Sequence, residues 1–417
     1  MHNRTRRPGQ LYIIALIFGA FFLSALPIFA RSTVDAGTPP KIQAVSAILI
    51  EEDTGTVLYQ DNADATIAPA SLTKLITLDV ALSQIRKGNL DPNQFIQPVP
   101  QSWAQNMYPG SSLMFLGPNQ RVRISTLLRG LVVPSGNDAA YALAYQIAGS
   151  VPAFAEMMNK TVSDLGLKSM HFTEPSGISA SNRITAREYA EFCRAFIRQN
   201  PSALPDLLSI KEFAYPEKVN LINGNHEHPI KQYNRNILLW DYKGVDGLKT
   251  GYIDQSGYNM AVTAERDGMR LVAVVLGVRP GQNVSGSKLR ALDVEKLLNY
   301  GFANYTKLTM DYPKPEPVRV WKGTQKLVTL LPESTPEVVI PKDEVSQLKG
   351  VIEQSREVLA PVTKGEQLGN LVYSVGNRIV AKFPLQAQAA VSEGGLLRQV
   401  VDSVKLFFLK IVGKSSL

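Results

Sequence analysis

Pro69-Ala70-Ser71-Leu72-Thr73-Lys74 opens a stretch, residues 69 to 88, whose reading decides the fold. From Ser71 to Leu82 the apolar residues lie nearly all round a helical axis, so the pattern predicts a helix enclosed by its domain rather than lying on it. Ser71 then sits at a buried helix start. Lys74, three residues on, shares its face and can reach the hydroxyl. Lysine at its ordinary pKa of about 10.4 is a poor base near neutrality, so the pair becomes reactive only where burial and a nearby cation disfavour the ammonium. Ser-x-x-Lys recurs at Ser285 to Lys288 and Ser346 to Lys349, and alone it carries little.

Two further strings change that. Ser135-Gly136-Asn137 and Lys249-Thr250-Gly251 each occur once, downstream of Ser71 and in that order. Ser135 and Asn137 fall on a turn between two helical patterns, where a hydroxyl and an amide can project into one cleft. Taken singly they read better as the N-cap of the helix from Asp138. Lys249-Thr250-Gly251 reads as a strand beside the cleft. Thr250 can donate to a substrate carboxylate, Lys249 adds positive charge, and Gly251 lets a ligand lie against the strand as if adding to it. The backbone amides of Ser71 and Tyr252 are candidates for an oxyanion hole, and Lys249 is the candidate cation beside Lys74. Nucleophile, base, polar bridge and cationic anchor make the set needed for acyl transfer through a serine ester.

Outward from these strings, residues 44–51 and 56–59 read as a hairpin turning at Asp53-Thr54-Gly55. Helical patterns cover 124–131, 138–148 and 186–198. Strands return at 247–252, 258–264 and 269–276, and 287–300 is an amphipathic helix. Pro313, Pro315 and Pro317 mark a stiff boundary. Beyond it, short β-branched runs at 318–321, 326–331, 337–340, 358–362, 371–373 and 378–383 predict a small β-rich domain. Last, Leu397, Val400, Val401, Val404, Phe407, Phe408 and Ile411 gather on one side of a helix over 396–412, with Arg398, Asp402, Lys405, Lys410 and Lys414 mostly elsewhere. A helix of about 26 Å that carries charges suits lying in a membrane surface, and packing on its own domain or on another protein is the other reading. A flexible tract over 386–395 is expected to precede it.

With 417 residues, 45% of them hydrophobic and 19% charged, the chain is an ordinary folded protein with room for two domains. Arg4, Arg6 and Arg7 ahead of an apolar run from Leu11 to Phe29 and Ala30 read as a signal for export, cleaved after Ala30, with an uncleaved anchor as the other reading. The formal net charge of +8 lacks any long basic tract interleaved with aromatics, so no nucleic-acid partner is expected. Cys193 is the single cysteine, excludes an internal disulfide, and reads as a packed residue of the 190–197 helical pattern. Of four histidines, two stand in Asn225-His226-Glu227-His228, which offers no usual zinc spacing; no metal and no cofactor are expected.

The blocks Ala68 to Lys74, Pro134-Ser135-Gly136-Asn137-Asp138-Ala139, Val245-Asp246-Gly247-Leu248-Lys249-Thr250-Gly251 and Gly257-Tyr258-Asn259 resemble those of low-molecular-mass penicillin-binding proteins of the serine D-Ala-D-Ala carboxypeptidase type. The resemblance implies an α+β transpeptidase-like domain: an antiparallel sheet flanked by helices, with a helical cluster. The division expected is a signal peptide (1–30), a catalytic domain (31–310), a β-rich domain (311–388) and an amphipathic anchor helix (389–417). It implies removal of the terminal D-alanine from peptidoglycan stem pentapeptides through an acyl-enzyme on Ser71, and acylation by β-lactam antibiotics. It also implies a place on the periplasmic face of a bacterial inner membrane. Ser71, Lys74 and Ser135 would be catalytic, and Asn137, Lys249, Thr250 and Gly251 would bind substrate. One departure stands in Phe172-Thr173-Glu174-Pro175-Ser176-Gly177, where the family commonly has Asn in place of Glu174. That carboxylate reads as a structural loop residue, with a water-activating base of the β-lactamase kind as the alternative. A β-lactamase-like hydrolase and a non-catalytic envelope scaffold are the competing functions.

Overall fold

The structure is a computed structural model and describes residues 37–412; the export signal expected over 1–30 and Lys414 lie outside them. β1 (Ser46–Glu51) and β2 (Val57–Asp61) form the expected hairpin. Two small ladders follow, β3 (Phe95–Ile96) with β4 (Val122–Arg123) and β5 (Glu212–Tyr215) with β6 (Ile230–Tyr233). Then come the long strands β7 (Val245–Ile253), β8 (Gly257–Arg266) and β9 (Met269–Val278). The main sheet is antiparallel in the order β2-β1-β9-β8-β7, which brings the N-terminal hairpin against the last strand. Asp267 and Gly268, both at positive φ, make the tight turn between β8 and β9.

Seven helices belong to this part: α1 (Thr73–Arg86), α2 (Ile124–Val132), α3 (Asn137–Ala148), α4 (Val151–Asp164), α5 (Ala186–Gln199), α6 (Leu238–Asp241) and α7 (Gly286–Asn304). The first nine residues of α1 are all buried, which is what its two-sided apolar pattern predicts. Alternate residues of each strand serve different cores. Ile48, Ile50, Val272 and Val274 pack with α1 to α5, whereas Ala47, Leu49, Ala273 and Val275 pack with Val294, Leu297 and Leu298 of α7. α4, which the sequence reading did not name, begins with an ordinary signal: Ser150 Oγ accepts the Ala153 N–H, and Pro152 stands in the first turn. Cys193 is buried on α5 among apolar neighbours, as expected.

The chain enters its β-rich part before the proline run, because β10 (Tyr305–Thr309) pairs with a strand beyond it. There follow β11 (Val318–Trp321), β12 (Leu327–Val328), β13 (Leu330–Pro332), β14 (Glu337–Pro341), β15 (Leu348–Gln354), β16 (Glu357–Leu359), β17 (Gln367–Val375) and β18 (Arg378–Ala387). The single strand expected over 326–331 is two, since β12 pairs with β11 and β13 crosses to β18. The strand expected over 358–362 stops at Leu359, ahead of Pro361, which has no N–H for a ladder. β15 is a half-exposed strand lacking the alternation that would have announced it.

Residues 388–395 are not a free linker. Val391 and Val362 exchange backbone bonds, and the Gly394 N–H donates to Lys322 O at 2.7 Å. α8 (Leu396–Ile411) is then held through Asp402, placed by the sequence pattern on the polar side but only 3% exposed. Its Oδ2 accepts the Lys322 N–H at 2.8 Å and Arg398 Nε at 3.0 Å. No described helix is long and apolar enough to cross a membrane.

Candidate active site

Ser71 stands in a single 3-10 turn, Ala70–Leu72, that leads into α1. The turn is clamped from three directions. A Cβ on Gly177 would lie 1.8 Å from Ala70 O, and one on Gly251 would lie 2.8 Å from Pro69 O and 2.9 Å from the Ser71 nitrogen. Only glycine allows the loop after Pro175 and strand β7 to come this close, and the positive φ of Gly177 (+86°) adds a second requirement. Below, Tyr189 OH on α5 donates to Leu72 O at 2.8 Å. Asn259 of β8 donates to Ala68 O at 3.0 Å and accepts the Gly277 N–H at 2.8 Å, which accounts for the Gly257-Tyr258-Asn259 block.

Lys74, 1% exposed, directs Nζ at Ser71 Oγ (2.9 Å), Asn137 Oδ1 (2.7 Å) and Ser176 O (2.7 Å). As an ammonium Lys74 has one N–H for each of these three oxygens; as a neutral amine it would keep two N–H bonds to the carbonyl oxygens and turn a lone pair to the serine hydroxyl. The Lys74 pKa is drawn down to about 7, by burial above all; the Glu174 and Asp138 carboxylates pull it up and the Arg235 cation pushes it down. Lys249, 3% exposed, reaches Ser135 Oγ and Thr250 O, each at 2.9 Å. Its pKa is also depressed, by burial first and then by Lys74, Arg235 and Arg290. The repulsion expected between the two lysines disfavours having both charged at once, and Arg235 acts on both.

Ser135 and Asn137 do not cap α3. Gly136 is the N-cap residue and no side chain caps there, so the capping alternative fails for both. Instead Ser135 is held at φ +64°, a costly conformation for a residue with a side chain, with its hydroxyl on Lys249. The Asn137 amide joins Lys74 to Ser111 Oγ (3.0 Å). Asp138 beside it accepts the backbone N–H groups of Met114, Phe115, Leu116 and Ala139 at 2.8 to 3.0 Å, and so ties the 111–116 wall to α3.

These groups surround a cavity of about 460 Å³ lined by Ser71, Ser135, Asn137, Thr250, Gly251 and Tyr252, with Lys74 and Lys249 behind its wall. All three motif strings therefore meet in one place. Arg235 and Arg290, which the sequence reading missed, line it as well. Arg290 of α7 donates to Gly251 O at 2.9 Å, and its pKa is lowered by burial to about 10. Neither arginine stands in a motif, and the helical pattern over 287–300 that contains Arg290 gives no sign of what it faces, so only the packing of α7 and of the segment before α6 identifies them. Among the described residues, no group of three or more His, Cys, Asp or Glu side chains is placed to hold a metal ion.

Residues 33–280 match the D-alanyl-D-alanine carboxypeptidase family, and residues 305–393 match the penicillin-binding protein 5 C-terminal domain. The chain is 35% identical to the D-alanyl-D-alanine carboxypeptidase DacA of Haemophilus influenzae over 395 residues, 93% of this chain and 95% of that one. It is also 35% identical to the DacA of Escherichia coli K12 over 379 residues, 88% and 89% of the two. The crystal structure of penicillin binding protein 5 from H. influenzae superimposes with a TM-score of 0.77 at 35% identity, covering 85% of this chain and 99% of that chain.

Proposed function

The chain belongs to the D-alanyl-D-alanine carboxypeptidase family, and on that premise we propose that Ser71, Lys74 and Ser135 carry out its acyl transfer. The observation that carries this reading is Lys74 Nζ at 2.9 Å from Ser71 Oγ, with its pKa drawn down to about 7. As Ser71 Oγ bonds the penultimate D-alanine carbonyl carbon, its proton passes to Lys74. Ser135, held by Lys249, relays a proton to the departing D-alanine amine. The Ser71 and Tyr252 backbone N–H groups receive the oxyanion. Asn137 meets the side of the stem peptide, and the peptide lies along Gly251 of β7. Thr250, with Lys249, Arg235 and Arg290 behind it, receives the terminal carboxylate. Water then cleaves the ester. The substrate is the pentapeptide stem of peptidoglycan, and a β-lactam acylates the same serine.

The exposed stripe of α8 supports a second element of the proposal, export and attachment to a membrane surface. Leu397, Val400, Val404, Phe407 and Ile411 are each at least half exposed, while Lys405 and Lys410 supply positive charge. The test of the enzymatic reading is free D-alanine from a peptide ending in D-Ala-D-Ala. Release by the wild type and none by Ser71→Ala is the expected result, and equal release by both would refute the role of Ser71.

A further inference from the structure

Glu174 is 6% exposed, and both its carboxylate oxygens are spoken for. Oε2 accepts the Ser176 N–H (2.8 Å) and Ser176 Oγ (2.6 Å). Oε1 accepts the Gly177 N–H (2.6 Å), Asn182 Nδ2 (3.0 Å) and the Ser179 N–H (3.4 Å). The Asn182 amide carries the connection on to Thr73 Oγ1 of α1 at 3.1 Å. This closes the 174–177 segment into a turn whose two inward carbonyls both grip α1: Pro175 O accepts Thr77 Oγ1 at 2.6 Å, and Ser176 O accepts Lys74 Nζ at 2.7 Å. Gly177, the next residue, backs the Ser71 turn.

We infer that Glu174 is a positioning residue for acylation: it holds the Ser176 carbonyl on Lys74, and its charge opposes that of Arg235 at the same amine. With five donors on two oxygens, no lone pair is left to take a proton from a hydrolytic water, so Glu174 is not the base for deacylation. The inference rests on the reading of Lys74 as the base for Ser71.

The groups that act on Lys74 come from every element around it. Asp138 on α3 and Glu174 on its loop favour the ammonium, Arg235 before α6 disfavours it, and Lys249 on β7 lies across Ser135. Removing the Glu174 charge therefore lowers the Lys74 pKa, and the neutral, reactive amine persists to lower pH.

The experiment is the rate of acylation by a fluorescent penicillin, and the rate of its release, across pH 5 to 9 for wild type, Glu174→Gln and Thr77→Val. Expected for Glu174→Gln is an acid limb of acylation displaced to lower pH by about half a unit or more, with a lowered plateau. Thr77→Val loosens the same turn but keeps the charge, and should lower the plateau without moving the limb. An unmoved or raised limb in Glu174→Gln overturns the inference, as does an equal displacement in Thr77→Val. Release slowed more than about tenfold with acylation unchanged would make Glu174 the deacylating base instead. Should Glu174→Gln not fold, Glu174→Asn removes the same charge and is read the same way. If wild type has no acid limb and Lys74→Ala still acylates, the fault lies in the assignment of Lys74 and not in Glu174.

Discussion

The active site and the terminal helix invert the usual placement of residues in opposite directions. Around Ser71 two lysines and an arginine are buried; on α8 an aspartate is buried while Phe407 stays 63% exposed. Large buried cations and exposed apolar stripes are both unfavourable unless something offsets them. In the site the offset is internal: carbonyls, hydroxyls and amides saturate the amines, and what remains is a depressed pKa that makes one amine useful. On α8 nothing among the described residues covers the stripe, and the membrane surface proposed above would supply the offset. A buried charge thus points to chemistry done within the fold, and an exposed apolar stripe to a surface beyond it.

The comparison breaks most severely at Lys74. Lys74→Arg keeps a cation but cannot supply a neutral amine, so penicillin acylation should fall by about 10³-fold or more; acylation at a rate near wild type would mean that burial of this lysine serves packing alone. The wild-type acid limb should lie near pH 7, with acylation rising as pH increases through it, because in the proposed mechanism the neutral amine is the active form. Gly177→Ala forces a Cβ onto Ala70 O at a positive φ and should cut acylation about 100-fold or prevent folding, read by the same assay with circular dichroism alongside.

On the other side, Phe407→Asp with Phe408→Asp should weaken binding to anionic lipid vesicles by tenfold or more and leave turnover of a short peptide unchanged. Unaltered vesicle binding would point to another protein as the cover. The smallest effect is expected from Asp402→Ala, which frees the Lys322 N–H and should cost about 1–3 kcal/mol in the docking of α8, seen as faster amide exchange in that helix with no change in activity.

Much of this was legible in the sequence. Apolar runs bounded by turn signals marked β1, β2 and β7 to β9 to within a few residues, because a long sheet between two helical layers constrains positions on both faces. The motif strings named the groups around Ser71, since acyl transfer needs those residue types whatever the background. β15, the division of β12 from β13, and the anchoring of residues 388–395 were not legible. Half-exposed strands leave a weak apolar pattern, and backbone pairing leaves none.

The sequence by itself determined that a serine, two lysines and a polar bridge would be present, and that the first pair would stand at the start of a buried helix, where the structure has Ser71 in the turn leading into α1 and Lys74 in its first turn. Tertiary structure alone decided the rest. Arg235 and Arg290 reach the cavity from segments with no motif, Asp402 turns inward, and Glu174 ties a distant loop to Lys74. Helical periodicity and motif spacing act over a few residues, whereas the pKa of a buried amine is set by charges and carbonyls that converge on it from positions as much as 161 residues apart, as Lys74 and Arg235 are.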